Sequence, residues 1–165
     1  MDLWQLILRA IQFLWVLLIT ALIGNVIALN IDGPMAAINF TMFVAVLSWL
    51  AVLYGIAASV FTSLAIPIVM LALDGAAALF TLIAGIVLAA RLKAVNCSNP
   101  NQGPGWIGYG AENVGKRCRE IQASTAFLWF LFATFAATLA LAFLSFRRVG
   151  GGARSHGPGM SQVRV

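Results

Sequence analysis

Charged side chains are scarce in this chain, and whole stretches lack them. They make up 9% of the residues, against roughly 25% in a soluble globular domain. No Asp, Glu, Lys or Arg occurs from Ala10 to Ile31, from Gly33 to Leu73, from Gly75 to Ala90 or from Ile121 to Phe146. With 62% hydrophobic residues, a water-soluble fold is excluded, because the apolar surface exceeds what one small core can bury. Histidine is almost missing too: His156 stands alone, near the C-terminus. That removes Ser–His catalysis and any His-based metal cluster within the apolar part. The two cysteines, Cys97 and Cys118, do not form a C-x-x-C redox pair, and no phosphate-cradling loop or dinucleotide fingerprint occurs. No catalytic residue, cofactor site or metal site is expected, and the chain is not read as an enzyme.

What is present is membrane-spanning sequence. About 20 apolar residues cross the roughly 30 Å hydrocarbon core as a helix. The first and last uncharged runs each hold one span. The run from Gly33 to Leu73 is too long for one. It holds a second span, a turn and the start of a third, marked by Pro67 at a position proline tolerates. The spans are therefore Ile7–Leu29, Ile38–Thr62, Pro67–Ala90 and Ala123–Phe146. The first is longer than the 7–15-residue apolar core of a signal peptide and is read as a retained helix. Continuous runs such as Phe13–Ile19 argue against the alternation of a β-barrel. The expected architecture is an all-α integral membrane four-helix bundle over residues 1–148, with a basic, glycine-rich tail, 149–165, that lacks a packed fold.

Four spans put both termini on one side. Basic residues do not orient them, since the terminal side and the third loop each carry five Lys or Arg and the other loops none. The cysteines lean one way. Both lie in the third loop, as a disulfide in an oxidising compartment requires; the alternative is two free thiols. A bridge would close a loop of about 20 residues, worth roughly 3 kcal/mol in the chain-entropy model. This favours cytosolic termini and an external third loop. That loop, Asn99 to Gly115, is rich in Gly, Pro and Asn and is expected to lack regular structure. Its Trp106-Ile107-Gly108-Tyr109 segment either dips into the interface or covers the bundle.

Small residues recur every fourth position: Ala51, Gly55, Ser59 and Ser63 in the second span, and Ala77, Thr81, Gly85 and Ala89 in the third. In lipid such stripes let helices approach closely, within the bundle or between copies. Gly55, Ser59, Thr81 and Gly85 are taken as packing positions. Asp74 is the one ionisable residue inside a span, about 10 Å from the start of the third helix. It lies level with Gln12, Tyr54 and Ser59, with Arg9 a turn nearer the surface. A charge at a helix centre costs about 2.5–3.5 kcal/mol on insertion scales, so Asp74 is either a structural polar contact or the working acid of a small transporter or channel subunit. Internal repeats, which would favour a transporter, are not seen. Arg147 and Arg148 follow the last span and suit contact with anionic lipid. The net charge of +5 does not indicate nucleic-acid binding, because the basic residues flank spans and form no soluble basic face.

Several segments resemble the fungal MARVEL-domain family of the yeast non-classical export protein. They run from Pro67-Ile68-Val69 through Leu73-Asp74 and Thr81-Leu82-Ile83-Ala84-Gly85 to Leu88-Ala89. They continue with Asn96-Cys97-Ser98-Asn99, Lys116-Arg117-Cys118-Arg119-Glu120-Ile121-Gln122-Ala123, Ala126-Phe127-Leu128-Trp129-Phe130 and Ser145-Phe146-Arg147-Arg148. The resemblance implies a plasma-membrane protein with cytosolic termini that organises specialised domains, of the eisosome type. It further implies sphingolipid- or sterol-rich lipid as partner, self-association or eisosome proteins, and a link to unconventional secretion.

Overall fold

The computed structural model of the chain describes residues 3–33, 35–61, 66–93, 96–98 and 103–152, with side chains as far as residue 145. Among them every regular element is a helix: α1 (Leu3–Ala28), α2 (Ala36–Val60), α3 (Pro67–Leu92) and α4 (Val114–Gly152). All four are long and apolar enough to cross a membrane. Pro67 opens α3 in its first turn, where its missing N–H costs no helical hydrogen bond.

The helices pack in a ring. α1 touches α2 and α4, and α3 touches α2 and α4, while neither diagonal pair brings Cα atoms within 8 Å. The buried positions explain this. In α1 they are Arg9, Gln12, Val16, Ile19, Ile23 and Val26. In α4 they include Arg117, Ile121, Ser124, Leu128, Leu131, Phe135 and Thr138. Steps alternate between three and four residues, the repeat of 3.5 that keeps one seam facing the partner in a left-handed bundle. α2 and α3 follow the same rhythm with smaller residues, Thr41-Ala45-Ser48-Val52-Gly55 and Asp74-Ala78-Thr81-Gly85-Leu88.

Hydroxyls inside this seam satisfy themselves locally. Thr41, Ser48, Thr81 and Ser124 each donate to the carbonyl four residues back. Their burial therefore carries no unmet polar group. Aromatic rings fill the seams nearer lipid. Trp15 stacks on Phe127 and Phe130 with centroids 5.4 and 5.3 Å away. Trp49 meets Phe13 edge-on and donates its indole N–H to Thr20.

The other boundaries fall within four residues of the sequence reading, and the two of α4 differ most. α4 starts at Val114, well before the span expected from Ala123, because Arg117, Cys118 and Ile121 are buried under the third loop and hold those turns in place. At the other end α4 continues to Gly152, into the segment expected to be tail; residues 153–165 and Ser63 lie outside the described residues. At 39 residues, α4 is about 58 Å long, nearly twice the hydrocarbon thickness.

Candidate functional site

Two polar assemblies sit at opposite ends of the bundle. At the end of the termini, the guanidinium of Arg9 grips Asp74 with both prongs: Nη1–H donates to Oδ1 at 2.7 Å and Nη2–H to Oδ2 at 2.6 Å. Both side chains are buried. The pair joins α1 to α3, the diagonal that the backbones do not bridge. Its reach depends on α2. The Arg9 guanidinium lies directly over Gly55, and a Cβ there would overlap its Nε and Cζ. α4 closes the network through Gln12, whose Oε1 accepts from Arg9 at 3.0 Å and whose Nε2–H donates to Thr138 at 3.5 Å. Thr138 passes its own hydroxyl hydrogen to the Phe135 carbonyl. One polar cluster thus touches all four helices.

Bidentate, charge-assisted pairing is the strongest form of this contact, and it occupies both oxygens of Asp74. That geometry supports the structural reading of Asp74 over a carboxylate free to bind a transported ion. Substituting Gly55 with leucine is expected to drive the guanidinium off Asp74 and to lower stability by about 3 kcal/mol, the upper end of overpacking costs. Unfolding of the purified protein in micelles measures this; an unchanged midpoint would remove Gly55 from the site. The other three residues taken as packing positions are also turned inward, whereas Ala89 of the same stripe is exposed. Thr81 and Gly85 are buried, with Gly85 beneath the Trp129 indole of α4, 3.4 Å from where a Cβ would stand. Ser59 is half-buried and bonds the Ile56 carbonyl.

At the other end the third loop forms a lid. Cys97 and Cys118 lie at disulfide distance, their Cα atoms 5.6 Å apart, tying the segment after α3 to the first turns of α4. Trp106 and Ile107 are buried, and the Trp106 indole donates to the last-turn carbonyl of Leu92 at 3.0 Å. Arg117 is the hub. Its Nε–H donates to Ile107, its Nη1–H groups to Val26 and Gly110, and its Nη2–H to the Met35 sulfur. The loop between α1 and α2 joins in, with the Ile31 amide donating to Gly110. Gly110 adopts a φ of +91° with Asp32 packed where a side chain would go, so only glycine fits. Substituting either cysteine with serine is expected to cost about 3 kcal/mol of stability, reproduced in the wild type by reductant; a wild type indifferent to reductant would show that no bridge contributes.

The sequence reading singled out Asp74 and the cysteines, placed Gln12 level with Asp74 and Arg9 a turn nearer the surface without pairing either with it, and counted Arg117 only among the basic residues of the third loop. Arg147 and Arg148 fall in the last turns of α4, beyond the described side chains.

A family model described as a membrane-associating domain, MARVEL, matches residues 2–141. The chain belongs to the MARVEL family. The matched region contains both assemblies and all four helices as far as Leu141. This MARVEL chain is 33% identical over 134 residues to non-classical export protein 2 of Saccharomyces cerevisiae, covering 79% of this chain and 75% of that protein. It is 28% identical over 151 residues to non-classical export protein 2 homolog 1 of the same organism, covering 88% of this chain and 82% of that one. No solved structure matches. The chain is thus a multi-pass membrane protein similar to proteins named for non-classical export.

Proposed function

We propose that this MARVEL protein organises specialised domains of the plasma membrane, of the eisosome type, responds to sphingolipid, and takes part in unconventional protein secretion without catalysing a reaction. The observation that carries the proposal is the family match across the four-helix region together with the likeness to non-classical export protein 2. The architecture suits such a role. Both polar assemblies are spent on holding the helices together, which leaves an apolar, aromatic-rich outer surface to distinguish one lipid environment from another. Phe43, Leu50 and Leu53 of α2 and Phe130 and Phe143 of α4 are among the residues on that surface. Sphingolipid- and sterol-rich lipid, eisosome proteins and further copies of the chain are the partners it would meet. Self-association would use these outer faces, because Gly55, Thr81 and Gly85 are already consumed inside the bundle. Cytosolic termini fit the cysteine pair, which then faces an oxidising exterior.

The test is imaging of C-terminally tagged protein at native level before and after sphingolipid synthesis is blocked. Stable cortical patches that disperse on depletion are expected. A uniform signal, or one indifferent to sphingolipid, would overturn the organiser reading.

A further inference from the structure

On the flank where α1 meets α4, beside the cysteine pair, a cavity of about 640 Å³ opens outward. Its lining changes character with depth. Lys116 and Arg119 of α4 and Ser98 of the third loop stand at one end, and Leu22 of α1 and Ala123 of α4 at the other. The Asn25–Glu120 hydrogen bond, 2.7 Å, marks the level between them. Leu22 and Ala123 lie about one helical turn deeper, toward the middle of the bundle. Ala123 is the third residue of the charge-free stretch that begins at Ile121 of α4, the level at which headgroups would give way to hydrocarbon in a bilayer.

Its charge is positive and partly uncommitted. Arg119 is exposed, donates once to Ser98 at 3.2 Å, and has no carboxylate partner among the described residues. Lys116 stands 3.8 Å from Glu120 with its side chain 56% exposed. Glu120, the acid in the wall, is already engaged by Asn25. A guanidinium and an ammonium one turn apart on one helix face can share a single phosphate. An apolar wall directly beneath them is of no use to a soluble anion, but it continues the path of an acyl chain.

We propose that this cavity binds the phosphate headgroup of an anionic, phosphate-bearing lipid in the leaflet on the third-loop side, with Lys116 and Arg119 holding the phosphate and the acyl chains descending past Leu22 and Ala123. The site is separate from Arg147 and Arg148, which lie at the opposite end of α4. It requires only that the bundle sit in a bilayer, so it stands independently of the domain-organising role.

The full-length protein in neutral detergent, given equimolar phosphatidylglycerol and phosphatidylcholine, tests this by native mass spectrometry of retained lipid. The wild type is expected to prefer phosphatidylglycerol by about thirtyfold, the scale of two cations each contributing about fivefold near an anionic surface. Lys116→Ala with Arg119→Ala is expected to bring the ratio near parity. Arg91→Ala with Lys93→Ala removes equal charge from the same end and is expected to leave the preference intact. Leu22→Trp fills the cavity without touching charge and is expected to abolish the preference as well, which keeps the test open if the double alanine variant does not fold. Parity in the wild type, an equal loss in the Arg91/Lys93 variant, or an unaffected Leu22→Trp protein would overturn the site. Displacement of the lipid by millimolar inorganic phosphate would overturn the lipid as its ligand in favour of the free anion.

Discussion

Asp74→Ala is expected to destabilise the bundle by about 3–5 kcal/mol, and adding Arg9→Met is expected to restore most of that loss. The asymmetry follows from burial. Removing the carboxylate leaves a guanidinium, permanently charged, with the neutral Gln12 carbonyl still accepting from it but no counter-charge beside it. A buried ion stripped of its partner costs this much, whereas replacing both ions with apolar groups of similar size is often neutral. Methionine matches the arginine stem and can lie over Gly55 without a clash. Asp74→Asn is expected to behave like Asp74→Ala, because shape is kept but the charge opposite Arg9 is not. Unfolding of the single and double variants in micelles gives the coupling energy directly. Additive losses would show that the two residues act separately and would reopen the transport role for Asp74. A double variant that folds and still forms cortical patches would fix the pair as architecture alone.

Arg117→Met is expected to cost about 3 kcal/mol or more and to loosen the whole third loop. Three backbone carbonyls from two segments, α1 and the third loop, converge on this one guanidinium, and hydrogen bonds to charged groups contribute about 1.5–3 kcal/mol each, part of which water recovers at this end of the bundle. Arg117→Lys is expected to rescue little. A single ammonium cannot reach Val26, Ile107 and Gly110 together, whereas a planar fork does so from a fixed stem. Hydrogen exchange of the amides from Gly103 to Gly110, compared between wild type and variant, separates local loosening from global unfolding. Protection unchanged in the variant would mean that the disulfide and Trp106 hold the lid without Arg117.

The four spans were legible because a hydrocarbon slab imposes a minimum length on uncharged sequence, and Pro67 and the cysteine pair punctuate it. The inward face of each helix was harder to see. In a soluble bundle apolar residues mark the seam; here lipid accepts apolar residues everywhere, and the seam is marked by the polar ones. Thr41, Ser48 and Gly55 fall seven apart, as do Asp74 and Thr81, and Arg117 and Ser124. That spacing was in the sequence, but a search for small residues four apart runs across it, catching Ala51, Gly55, Ala77, Thr81 and Gly85 while missing Thr41, Ser48 and Asp74. Arg9 was placed a turn nearer the surface than Asp74, yet the pairing joins residues 65 positions apart across a diagonal, and no local pattern encodes that. Arg117 was hidden for another reason. Counted among five basic residues of the third loop, it looked like a topological charge, and only the fold reveals that it is buried among carbonyls while Lys116 and Arg119 stay outside.

The order in which Arg9 and Asp74 leave the ribosome gives their contact a history. At about 5–20 residues per second, the 65 residues between them take roughly 3–13 s to make. Throughout that interval α1 carries its cation with the counter-ion still unsynthesised. Until α3 arrives, Arg9, in the second turn of α1, has the headgroups as its partners, which a long cationic side chain near a helix end reaches by snorkelling. The contact that ties α1 to α3 can therefore form only after that interval, and codon-level delays within it would lengthen the time Arg9 spends without its counter-ion.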